Sequence, residues 1–247
     1  SRIDDDAFSI AADACDLDIP LAAGGTEKQF RCAGSFTLNE DRNTIAGAML
    51  ANMDGYLVTN SHGKIGVRIG NEAVSNLLTF NANQVLVERF QSGKALRDYR
   101  NSVQAVIASE DHNFQQITVP PQEDDASVAQ LGRKTFPMEL RFCPSPTQAQ
   151  RLARRRLLRL NARDVGEVVT DLSGMNAKPG STIVLGYDDA SADLPLRVAT
   201  REYIASDNIV RLQVQTIDPL EEYWDTSLEK TVQPNPPQGV NGRLIGP

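Results

Sequence analysis

Chemistry-bearing residues are scarce in this chain. There are two histidines and three cysteines in 247 residues. His62 falls in a turn and His112 follows an acidic pair, and neither has a partner at metal-ligand spacing. Cys15, Cys32 and Cys143 are odd in number and contain no CxxC pair, which argues against a disulfide framework or a zinc site. A Cys15–Cys32 bridge stays open if the segments flanking those residues pair. Gly24-Gly25-Thr26 lacks the lysine context of a phosphate loop, and no GxSxG elbow occurs. No apolar run approaches the roughly 20 residues that span a bilayer, so no membrane span is expected. The N-terminus, SRIDDDAFSI, is acidic where a signal peptide is basic. The chain also opens without Met and in mid-pattern, as an excised fragment would. Aromatic residues make up only 6%. That is thin for a carbohydrate-binding surface, and Tyr223-Trp224, the one compact aromatic pair, reads as a core plug after the last strand. These shortages leave no catalytic, cofactor-binding or metal-ligating residue to assign, and no cofactor.

What is present is an ordinary folding composition, 40% hydrophobic and 23% charged, with a net charge of −7. That acidity disfavours general DNA binding. Acidic pairs recur at Asp4–Asp6, Asp124–Asp125, Asp188–Asp189 and Glu221–Glu222, each at a terminus or in a polar loop, where such charges are expected to be solvated.

The periodicity predicts a helix over Ile3–Asp16 with its acidic residues in the first turn. It predicts a strand over Gln29–Leu38 and a helix over Asn39–Gly55, capped by Asn39 or Asp41. A hairpin of Tyr56–Thr59 and Lys64–Ile69 follows. Gly70–Phe80 reads as a connector. Further strands are expected at Asn81–Phe90, Ser102–Ser109, within Asp111–Val119, late in Ala126–Leu140, and at Asp164–Leu172 and Thr182–Tyr187. Leu196–Ile204 and Asn208–Thr216 read as a last hairpin. Asp188–Asp193 reads as an acidic loop, and Val232–Gly242 as a Pro/Gly-rich linker. The fold class expected is α+β and β-rich: a small α+β domain (1–78), a β-barrel or sandwich domain with one flanking amphipathic helix (79–225), and a linker or tail (226–247).

That helix, Pro146–Leu160, carries five arginines. Ala149, Leu152, Ala153, Leu157 and Leu160 share one arc, with Arg151, Arg154, Arg155 and Arg159 opposite. Leu158 interrupts the basic face, and Arg156 lies inside the apolar arc, where it must snorkel or pair. The basic face reads either as solvated or as a contact with another subunit. The candidate interface residues are Arg151, Arg154, Arg155, Leu158 and Arg159.

The ordered set of segments resembles the tail-tip hub proteins of long-tailed bacteriophages and prophages, the baseplate-hub-like tip-attachment or host-specificity family. The residues that carry the resemblance are Cys15-Asp16, Gly25-Thr26-Glu27, Arg31-Cys32 and Gly34, then the helix ending at Met53–Gly55 with its hairpin. Phe80-Asn81, Val103–Ser109 and Val119–Pro121 follow. Gln148-Ala149-Gln150-Arg151-Leu152-Ala153 and Lys178-Pro179-Gly180-Ser181 complete the set, over about residues 1–225. The resemblance implies a non-enzymatic structural protein with a tail-tube-like barrel, acting as a homotrimer in a ring at the virion tail tip and assembled in the bacterial host cytoplasm. Its implied partners are tail-tube and other tail-tip proteins, with the tape-measure protein or DNA passing through the lumen. An acidic lumen would repel the DNA backbone and let it slide. Alternatives are a tail-borne cell-wall hydrolase using the acidic pairs, or a receptor-binding module.

Overall fold

A computed structural model describes residues 2–60, 62–70, 77–186 and 195–232. The chain is α+β and β-rich. Helix α1 (Asp5–Cys15) is capped by the Asp4 carboxylate, which accepts from the Ala7 N–H. A short hairpin, β1 (Asp18–Pro20) with β2 (Thr26–Lys28), precedes α2 (Arg42–Asn52), whose N-cap is Asp41. Strands β3 (Gly55–Thr59) and β4 (Ile65–Ile69) form the expected hairpin.

The expected strand at Gln29–Leu38 does not form. Much of this segment's backbone hydrogen bonding is met by side chains of a helix more than 100 residues away instead of by a ladder. The Gln148 amide accepts from the Arg31 N–H at 2.8 Å and donates to the Arg31 carbonyl at 3.0 Å, while Arg151 donates to the Gln29 carbonyl at 2.7 Å. Alternation of Phe30, Cys32 and Phe36 reports an extended chain, and an extended chain need not join a sheet.

Two larger sheets follow. In the first, β7 (Ser102–Ser109) lies at the centre. It pairs antiparallel with β8 (Gln115–Thr118) and β9 (Gln122–Glu123), and parallel with β10 (Thr135–Leu140). Helix α3 (Asp125–Leu131) supplies the crossover to β10, and α4 (Pro146–Leu160) lies on β7 and β9. Every second residue of β7 is buried outright, Val103, Ala105 and Ile107 among them. The core here joins Ala11, Phe30, Val67 and Ile69 to Ala105, Ile107, Leu140, Ala149 and Leu152, so it draws on both sides of residue 78.

The second sheet has six strands in the order β5-β12-β13-β14-β11-β6. They are β5 (Leu78–Asn81), β6 (Val85–Ser92), β11 (Asp164–Thr170), β12 (Thr182–Gly186), β13 (Leu196–Ile204) and β14 (Ile209–Thr216). The strand expected at Asn81–Phe90 starts only at Val85, as β6, while β5 forms at the end of the expected connector Gly70–Phe80; between them lies a turn in which the Gln84 N–H donates to the Asn81 carbonyl. The break dictates the shape. Strands β5 and β6 lie at opposite edges, which a flat sheet of this size would hold about 24 Å apart. The residues between Asn81 and Val85 can reach no more than about 15 Å. The sheet must curl to bring its edges together, and it forms a half-barrel. Phe80, Val168, Ile183, Leu196, Val198, Leu212 and Val214 form its core. The whole four-stranded layer and α4 are thus inserted between β6 and β11.

Tyr187, the Asp188–Asp193 loop and the linker from residue 233 onward lie outside the described residues. Cys15, Cys32 and Cys143 are free thiols, and burial pushes the Cys143 thiol up to about 12. No helix among the described residues is long and apolar enough to cross a membrane.

Gln148 is fully buried, and beyond its two bonds to Arg31 it donates to the Asn52 carbonyl at 2.9 Å. Gln148→Leu leaves one backbone N–H and two carbonyls without that partner in the core. The expected loss is about 2–4 kcal/mol of stability, measured by urea unfolding.

Candidate functional site

Helix α4 is the point where the layers meet. Its start is fixed locally. Ser145 caps it by accepting from the Gln148 N–H at 3.3 Å, Pro146 fits the first turn, and the Ser145 hydroxyl donates to Glu27 at 2.6 Å. The apolar arc is buried as expected at Ala149, Leu152, Ala153 and Leu157. The opposite, basic arc is mostly covered too. Of the two readings the sequence left open for this face, solvated or in contact with another subunit, the solvated one does not hold for Arg151, Arg155 and Arg159, because each meets a carboxylate from elsewhere in the chain.

Arg151 is buried and pairs with Glu27. Arg155 reaches Glu222 at 2.8 Å and Asp54 at 3.4 Å, and stacks over the Phe30 ring at 5.7 Å. Arg159 grips Asp54 with two N–H groups and Glu221 with a third. Glu221 also accepts from Arg197 of β13 at 2.8 Å. Four arginines and four carboxylates therefore form a neutral clasp between the two sheets. Of the other candidate residues, Arg154 and Leu158 are half-buried and lie outside these pairs. Arg156, expected to point inward, is exposed and sits over the Phe136 ring at 5.1 Å.

Local backbone geometry places Asp54. It follows α2 with φ of 52°, a left-handed conformation that turns its carboxylate back toward α4. Gly70 stands opposite, where a Cβ would overlap that carboxylate and come within 3.1 Å of Arg159 Nη2. Burial alone would push the Asp54 carboxyl up, but Arg159, Arg155 and Arg197 outweigh it and hold Asp54 below its ordinary value. Burial likewise works against the Arg159 charge, yet Asp54 and Glu221 hold its proton more firmly than usual. Glu222 goes the other way: burial, with Glu221 and Asp54 nearby, raises it despite Arg155.

The sequence reading missed Asp54 and Glu27 and placed Glu221–Glu222 in solvent. Glu221 is instead only 3% exposed. The available signal was the count of arginines on one helix, since so many cations on a partly apolar helix need anions if they are covered. Tyr223 and Trp224 are not a core plug. Tyr223 is exposed, and half-buried Trp224 lines a small cavity with Arg151 and Arg154. His62 is exposed in its turn, and the His112 ring lies 3.0 Å from the Ser109 hydroxyl. Among the described residues, no group of three or more His, Cys, Asp or Glu is placed to hold a metal ion.

The other notable surface is the rim of the half-barrel. Among the described residues strand β6 pairs only with β11, and Leu86, Val87 and Phe90 on it are 54%, 39% and 40% exposed. Such an edge is a template for another strand.

No family model matches this chain, and no curated protein matches it. Among solved structures it is similar to a chain in the virion of a native gene transfer agent particle. The TM-score is 0.59 at 16% identity, over 87% of this chain and 48% of that one. This protein thus spans about half the length of the chain it matches. Weaker likenesses are to the tail protein from Neisseria meningitidis MC58 and to the 43 kDa tail protein of prophage MuSo2 from Shewanella oneidensis. Their TM-scores are 0.47 and 0.43, at 10% and 11% identity, covering 86% and 76% of this chain and 65% and 54% of those.

The clasp predicts unequal effects for its carboxylates. Asp54→Asn leaves Arg159 underpaired and is expected to cost about 3–5 kcal/mol at neutral pH. Because Asp54 is lowered from 3.8, its contribution is present above that value and lost as pH falls through its lower folded value. Asp54→Asn should therefore flatten the acid limb of a stability–pH curve. Glu222 is raised from 4.5, so its contribution is present below that value and lost as pH climbs through its higher folded value. Glu222→Gln should cost far less than Asp54→Asn at neutral pH. Urea unfolding from pH 3 to 8 measures both.

Proposed function

We propose that this chain is a structural, non-enzymatic component of a phage-type tail, in a virion or a related particle. The finer reading is a tail-tip hub: a homotrimeric ring that closes the tail tube and joins it to tip or fibre parts. Tail-tube and other tip proteins are its neighbours in this reading. The tape-measure protein or DNA passes through the lumen, the site of action is the virion tail tip, and assembly occurs in the host cytoplasm. The observation that carries the proposal is the half-barrel with an open, apolar β6 rim, a shape built to be continued by another chain. The overall likeness to a chain of a gene transfer agent virion supports the same reading. So does the net charge of −7, which lets nucleic acid pass without sticking.

In this reading Arg151, Arg155 and Arg159 hold the two sheets in fixed relation. Arg154 and Leu158 remain the α4 residues available to a neighbouring subunit. A rigid relation between layers matters in a ring, because an angular error in each copy prevents closure.

Sedimentation velocity across rising protein concentration tests the proposal. A closed trimer is expected, and Leu86→Lys with Phe90→Lys should return it to a monomer that keeps the native far-UV circular dichroism spectrum and loses the concentration dependence of the melting temperature. A chain that stays monomeric at every concentration, or a trimer indifferent to those changes, would remove the β6 rim from the interface.

A further inference from the structure

A cavity of about 640 Å³ opens beside the clasp, between the C-terminal half of α4, residues 93–98 and strand β13. Arg197 lines it and is only 1% exposed. Its Nη1 serves Glu221, while Nε and Nη2 have no hydrogen-bond partner among the described residues. These two nitrogens lie along one edge of the planar guanidinium, a fork that matches two oxygens of a single oxyanion. A buried fork of this kind calls for a partner.

The rest of the lining says what charge that partner carries. Arg159 and Arg197 are already balanced by Asp54 and Glu221. Lys94, Arg97 and Arg156 also line the cavity, against one carboxylate, Asp98, which pairs with Arg97 at 3.3 Å. Among the described lining residues, two positive charges remain uncompensated. Lys94 donates to the Leu160 carbonyl at the end of α4, which holds its ammonium at the cavity. Burial and the nearby Arg156 charge lower the Lys94 pKa, as expected for a cation with too little anion beside it. A water molecule would satisfy the fork and leave the charge untouched. A carboxylate would satisfy the fork and half of the charge. A doubly charged phosphate group satisfies both and has oxygens left for Lys94 and Arg156.

We propose that this cavity binds a phosphate dianion, free or as a phosphate monoester, with Arg197 as its buried fork and Lys94 and Arg156 at its rim. Leu160, Val165 and Ala199 give the same cavity an apolar wall on which the organic part of a monoester can rest. The site lies within one chain and is independent of the ring assembly proposed above.

Calorimetric titration of the full chain at low ionic strength tests it, with inorganic phosphate, phenyl phosphate and a hexaglutamate peptide as probes. Saturable one-site binding of at least one phosphate probe is expected. The Lys94→Gln/Arg156→Gln double variant lies outside the clasp, and its folding is checked by thermal melting. It should bind at least tenfold more weakly. Arg197→Lys, which keeps the charge and removes the fork, should weaken binding as well. Phenyl phosphate at least tenfold tighter than phosphate identifies a monoester site, and equal affinities identify a site for the free ion. Any of three results overturns the proposal: no saturable phosphate binding, unchanged binding in the folded double variant, or hexaglutamate bound more tightly than either phosphate.

Discussion

Arg159 is held between Asp54, at the end of α2, and Glu221, beyond the last strand of the half-barrel, while Glu221 also holds Arg197. This chain of alternating charge crosses from one sheet to the other through a single helix. Its members are distant in sequence, so it forms only when both layers are in place. Charges buried this way gain little net stability over a well-packed apolar contact. They discriminate instead, since a slip of α4 by one residue would bury arginine without its anion. Gly70 and the left-handed Asp54 belong to the same constraint, because both exist to let one carboxylate approach one guanidinium.

Around that clasp, α4 also replaces missing secondary structure. Gln148 bonds the backbone at Arg31 and Asn52. Gln150 does the same at Lys230, donating to its carbonyl at 2.8 Å and accepting from its N–H at 2.7 Å. Two irregular segments are thereby held against one helix without joining a sheet. The half-barrel is freed to serve a different purpose. Its core is closed by β5, β6 and the short turn between them, while the outer rim of β6 is left open. A rigid clasp and an open rim are the two properties that the proposed ring subunit requires.

Much of this was legible in the order of residues. The boundaries of α4 follow from Ser145 and Pro146, and α2 starts where Asp41 can cap it. The β3–β4 and β13–β14 hairpins follow from alternating residues around turns. The fold class followed from strands at regular spacing with few helices. The site was legible only by half. The arginines at 151, 155 and 159 stood out as unusual, but periodicity cannot distinguish a face wetted by solvent from a face covered by carboxylates. Both look polar. Glu221–Glu222 were misplaced for the same reason, since an acidic pair in a loop looks alike whether or not an arginine waits above it.

The sequence by itself determined the local elements, because caps, turns and alternation act within a few residues and need no distant partner. Tertiary structure alone decided that Gln29–Leu38 stays outside any sheet, that β5 and β6 part to opposite edges, and that the basic face of α4 turns inward. Each of those outcomes depends on groups more than 60 residues apart in the chain. A hydrogen bond or ion pair across such a span is fixed by where the layers pack, and one-dimensional spacing carries no record of that.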